Sequence, residues 1–102
     1  MNVDLSKALG KKHYNILKRV FMKEPYQGLT MNEILDLFQK IMSIDSFGLT
    51  GWIDTAPGAR IEVVLGDASA VFHDLEPDKP ALEGNIDEAR RLLGDLGIEP
   101  NN

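Results

Sequence analysis

Apolar positions along this chain recur with two different periods, and the change of period divides it. From Gly10 to Lys23, Tyr14, Leu17, Val20 and Phe21 fall at helical spacing, with Ile16 beside them and lysines opposite. That pattern predicts a short amphipathic helix. Glu24-Pro25 ends it, because the residue before proline is driven out of the α region and proline lacks an amide. Pro25 to Leu29 is read as a connector. Thr30-Met31-Asn32-Glu33 then has the form of a capping box, in which hydroxyl and carboxylate satisfy two orphan amides. Behind it Met31, Ile34, Leu35, Phe38, Ile41 and Met42 share one helical face.

After Ser43 the period changes to two. Phe47, Leu49, Gly51 and Ile53 alternate with Gly48, Thr50, Trp52 and Asp54, which predicts a strand whose glycines allow a bulge or a close backbone approach. Ala56-Pro57-Gly58 is a turn signal. Ile61, Val63 and Leu65 alternate with Arg60, Glu62 and Val64, and Gly66-Asp67-Ala68 turns the chain into Ala70 and Phe72 against Ser69, Val71 and His73. Asp74 to Gly84 reads as a polar loop bearing Pro77 and Pro80. Asn85, with Glu88 three residues on, is read as the cap of a last helix buried through Ile86, Ala89, Leu92, Leu93 and Leu96. Gly97 suits the left-handed position that closes a helix. The predicted order is α-α-β-β-β-α, an α+β two-layer sandwich in which helices cover one face of a three-stranded antiparallel meander. Residues 1–10 are expected to form a flexible arm and residues 11–100 a single domain.

Composition adds limits. The chain has 102 residues, 43% hydrophobic and 26% charged, with no cysteine. Such a chain can build a core without disulfides, and thiolate metal sites and thiol redox chemistry are excluded. The stretch from Ile41 to Ile53 is too short and too polar to span a bilayer, and Met1 to Gly10 has no signal-peptide apolar region, so the expected location is the cytoplasm. Charge is unevenly placed. Six cations against Asp4 give residues 1–23 a charge of +5, whereas five cations against fifteen carboxylates give residues 24–102 a charge of −10. An acidic body repels phosphate, so any sequence-independent affinity for nucleic acid would have to come from the N-terminal segment or from a partner.

The order from the capped helix onward resembles that of double-stranded-RNA-binding domains and of the HicA mRNA-interferase toxins. Similarity to the longer HicA-type sequences covers about residues 11 to 100. It runs through Lys12-His13, Ile16-Leu17, Phe21, Pro25, Glu33-Ile34 and Leu37, then Gly58-Ala59-Arg60-Ile61-Glu62-Val63. It continues through Ala70-Val71-Phe72-His73, a proline-bearing loop, Gly84, Arg90, Arg91, Leu93 and Gly97-Ile98-Glu99-Pro100. The resemblance implies a bacterial toxin-antitoxin protein: a metal-independent endoribonuclease acting on messenger RNA and held by a HicB-type antitoxin. Two departures imply impaired cleavage. Compact members open the second strand with Gly-Ser-His, the histidine being catalytic, where this chain reads Gly58-Ala59-Arg60. Longer members keep a basic stretch after the third strand, where this chain has His73-Asp74-Leu75-Glu76-Pro77.

The candidate chemistry is correspondingly sparse. His73 can accept or donate a proton, and Arg60 can stabilise phosphate but cannot act as a base. Their ordinary readings are a surface histidine bonded to Asp74 or Glu76, and a surface ion pair between Arg60 and Glu62. Lys11, Lys12, Lys18 and Arg19, with Lys23, are the candidate RNA-binding cations; the ordinary reading is neutralisation of the acidic body. His13 fits a solvated helix face, and Trp52 is expected in the core. The acidic run from Asp74 to Glu83 lacks calcium-loop spacing, and no phosphate-binding glycine motif occurs, so neither metal nor small-molecule cofactor is expected. Two other functions fit the same chain. One is a non-enzymatic protein-interaction module. The other is a winged-helix DNA binder, which Glu33 and Asp36 on the recognition helix oppose.

Overall fold

A computed structural model of the chain describes residues 4–22, 28–56, 60–73, 76 and 78–100. Among them the order is α1 Leu5–Val20, α2 Met31–Ser43, a 3-10 turn Asp45–Phe47, β1 Gly51–Ala56, β2 Arg60–Leu65, β3 Ala68–His73 and α3 Glu83–Asp95. The strands form one antiparallel sheet in the order β1-β2-β3. This is the expected α-α-β-β-β-α arrangement. None of the described helices is long and apolar enough to cross a membrane.

α1 begins earlier than its hydrophobic pattern suggested. The Asp4 carboxylate accepts from the amides of Ser6 and Lys7 at the helix start, and Leu5 and Leu9 are buried. Residues 4–9, expected as part of a flexible arm, are therefore a helical turn held on the core. Gly10 interrupts α1 with φ 83° and ψ 166°, a conformation essentially closed to other residues, so the turn and the longer segment meet at an angle. The stop expected at Glu24-Pro25 lies outside the described residues. Arg90 of α3 closes the end of α1 by donating to the carbonyls of Val20 and Met22, at 3.0 and 3.2 Å.

α2 has the predicted box: the Thr30 hydroxyl accepts from the Glu33 amide, and the Glu33 carboxylate accepts from the Thr30 amide. Its buried face is Met31, Ile34, Leu37, Phe38 and Ile41, while Leu35 and Met42 lie at its margin. Phe38 meets Phe72 of β3 with ring centroids 6.0 Å apart, which joins the helical layer to the sheet. Ile61, Val63, Leu65, Ala70 and Phe72 fill the inner face beneath the helices.

Two expectations are corrected here. The alternation from Phe47 does not begin a strand: Phe47 is buried in the 3-10 turn, Gly48 is left-handed, and β1 starts only at Gly51. Nor does Asn85 cap α3. The helix starts a turn earlier after Leu82, which supplies no side-chain cap, and Asn85 is a buried residue within it. The far end is as expected, with Ile98 donating to Leu93 and left-handed Gly97 to Gly94. The Pro57-Gly58 turn lies outside the described residues, as do Asp74, Leu75 and Pro77 of the polar loop. Pro80 and Ala81 of that loop are tied to the start of α2, Ala81 donating to the Leu29 carbonyl at 2.7 Å beside a bridge between Thr30 and Pro80.

Truncating Phe38 to alanine should cost about 3 to 5 kcal/mol, as for other fully buried aromatics. Chemical denaturation compared with the unaltered chain checks this; an unchanged midpoint would contradict the placement of Phe38 between α2 and β3.

Candidate functional site

The helices lie on one side of the sheet, so the residues of the other face are left to solvent. Register sets their neighbours: Trp52 lies opposite Val64 and Val64 opposite Ser69, Asp54 opposite Glu62 and Glu62 opposite Val71, and Arg60 opposite His73. Arg60 and His73, the two candidate catalytic residues, are therefore direct cross-strand partners. Because the backbone of His73 bonds away from β2, their side chains belong to the closer kind of antiparallel pair, with Cβ atoms about 4.5 to 5.5 Å apart. Both are exposed, and among the described residues neither side chain has a hydrogen-bond or ion-pair partner. Asp74, one ordinary partner for His73, lies outside the described residues. An anion could sit against Arg60 beside an imidazole that can carry a proton, but nothing described shields the pair from water.

The next row repels an anion. Asp54 and Glu62 are like charges directly opposite each other and exposed, and Glu62 makes no ion pair with Arg60. Trp52 is 57% exposed and Val71 40% exposed, so the tryptophan expected in the core stands instead on the open face. Its alternation with Ile53 put one of them outward, and Ile53 is the inward one.

The cations of α1 lie in the helical layer, on the other side of the sheet, and most are already engaged. Lys12 Nζ lies 3.2 Å from Asp36 Oδ2, and Arg19 Nη1 lies 2.8 Å from Glu33 Oε2. Lys18 sits over the Tyr14 ring, 5.4 Å from its centroid. Lys11 is exposed without an ion pair among the described residues. His13, expected on a solvated face, is largely covered and bonds Asp36 at 3.1 Å. These contacts set the acid groups of α2. Burial pushes the Glu33 carboxyl up, but the Arg19 guanidinium and the Thr30 amide outweigh it and hold Glu33 below its ordinary 4.5. The Lys12 ammonium, with help from His13, likewise lowers Asp36 against a smaller cost of burial.

Asn85 is the residue whose role the sequence concealed. Its side-chain amide accepts from the His73 amide at 3.3 Å and donates to the His73 carbonyl at 2.9 Å, occupying the edge of β3 as a neighbouring strand would. Arg91 donates to the Ser69 carbonyl at 2.7 Å on the same edge while held by Glu88 and Asp95. Between α3 and this edge runs a groove of about 700 Å³ lined by Val71, His73, Leu82, Glu88 and Arg91. Among the described residues no three His, Asp or Glu side chains could together hold a metal ion.

No protein-family description, curated protein or solved structure matches the chain.

Replacing Asn85 with alanine should cost about 1 to 3 kcal/mol, because a buried pair of edge bonds is lost, and should expose the His73 amide to exchange. An unchanged stability with His73 still protected would contradict the edge role. Acid should weaken the α1 to α2 contact. Since the folded carboxyl of Glu33 is depressed, its contribution is complete above about pH 4.5 and disappears as pH falls through the lower folded value. Glu33→Gln should therefore flatten the decline of melting temperature in that window, and a decline as steep as in the unaltered chain would contradict it.

Proposed function

We propose that the chain is a HicA-like domain of toxin-antitoxin type whose work is protein binding through the open face of its sheet, not RNA cleavage. One contrast carries this. Of the five candidate RNA-binding cations, Lys12 and Arg19 are engaged by Asp36 and Glu33, while the open face joins exposed Trp52 and Val71 to Asp54 and Glu62. Such a face repels phosphate and favours apolar and cationic groups of another protein. Support for the HicA-like identity comes from the residues quoted for it and from the α-α-β-β-β-α order in which they stand. The partner it implies is a HicB-type antitoxin or another protein, met in the cytoplasm, with no cofactor.

A second function is favoured by one observation, the juxtaposition of Arg60 and His73. In metal-independent cleavage His73 would move the proton and Arg60 would stabilise the charged phosphate. It has to work beside Asp54 and Glu62 and across the sheet from Lys11 and Lys18.

Incubating purified protein with single-stranded RNA, without metal and at low salt, separates the two. The expected result is no cleavage and no salt-sensitive RNA binding. Cleavage abolished by both His73→Ala and Arg60→Ala would overturn the binding function and establish the second.

A further inference from the structure

A three-stranded sheet has two edges, and this chain treats them differently. On β3, Asn85 occupies the His73 amide and carbonyl and Arg91 occupies the Ser69 carbonyl. Those bonds also fix the alternation of the ladder. Because His73 bonds outward, Arg60 opposite it bonds toward β1, and so do Glu62 and Val64. Their β1 partners Ala56, Asp54 and Trp52 bond inward to β2, leaving the amides and carbonyls of Gly51, Ile53 and Thr55 directed away from the sheet. The bond from Gly66 to the Thr50 carbonyl, at 2.8 Å, follows the same alternation. Among the described residues none meets the outward groups of β1. An uncovered edge of this kind is a template for another strand.

We propose that β1 is a docking edge for an extended segment of a partner protein that alternates Lys or Arg with apolar residues. This deepens the protein-binding function above and rests on it. The side chains flanking the edge select the occupant. On the outer face an added strand lies beside Asp54 and exposed Trp52, with Glu62 behind, and no described cation pairs with either carboxylate. Cationic residues relieve that repulsion and can lie over the Trp52 ring. On the inner face the strand lies beside Ile53, half-buried, and Thr55, exposed, where the helices pack mainly over β3 and leave β1 thinly covered. Apolar residues there extend the core. A second copy of this chain is a poor occupant, because β1 carries no cation and antiparallel pairing about Ile53 gathers two Asp54 and two Glu62 on one face.

The test uses two short synthetic peptides, one alternating Lys with Val and one alternating Glu with Val, titrated into the full chain. Emission of Trp52, the only tryptophan, and backbone amide exchange report binding. The Lys-Val peptide should change the emission and protect Gly51, Ile53 and Thr55, and the Glu-Val peptide should do neither. Ile53→Pro removes one outward amide and no bond to β2, so it should abolish binding in a chain that still folds. Asp54→Asn with Glu62→Gln needs no backbone change and should weaken binding by about tenfold, the scale of two exposed ion pairs. Equal binding of both peptides, protection on β3 instead, binding of neither peptide, or self-association through β1 would overturn the proposal. RNA cleavage would sink the protein-binding function without altering these amides, so the two failures are distinguishable.

Discussion

Three strands present two faces and two edges, each needing apolar cover, hydrogen-bond partners or water, and the described residues supply cover for one face and one edge. Phe38 on Phe72 closes the inner face with α2, and α3 lies along β3 with Asn85 and Arg91 bonded to its backbone. A small sheet gains its stability from one well-covered side, so the outer face and the β1 edge can stay open without loss of the core. What the chain can bind follows from that division.

The same division separates charge. Folding pairs the cations of α1 with carboxylates of α2, Lys12 and His13 with Asp36 and Arg19 with Glu33. Part of the positive charge of α1 is thereby offset within the helical layer, on the side away from Arg60 and His73. Among the described residues the open face presents Asp54, Glu62, Trp52 and Val71 beside Arg60 and His73. A surface so composed suits a protein partner better than a phosphodiester.

Much of the fold was legible because it is local. The box at Thr30 and Glu33, the alternation through β2 and β3, and Gly97 after α3 each depend on neighbours in sequence, and each has the expected form. Misreadings arose where distant residues decide. Asn85 resembles a cap by spacing, but the edge of β3 claims its amide; Trp52 resembles core by type, but Ile53 takes the inward position. Leu5 and Leu9 carry no pattern long enough to announce a helix, and only their burial makes residues 4–9 part of the domain. For the candidate site, periodicity put Arg60 and His73 on exposed faces of their strands. Register alone makes them neighbours, and register is a property of the sheet.

Amide hydrogen exchange in the free chain tests the unequal edges most directly. Although it sits at an end of the sheet, the His73 amide should be protected by Asn85, while those of Ile53 and Thr55 should exchange at the rate of open strand. Protection of Ile53 and Thr55 in the free chain, or rapid exchange of His73, would contradict the account of one covered edge and one open one.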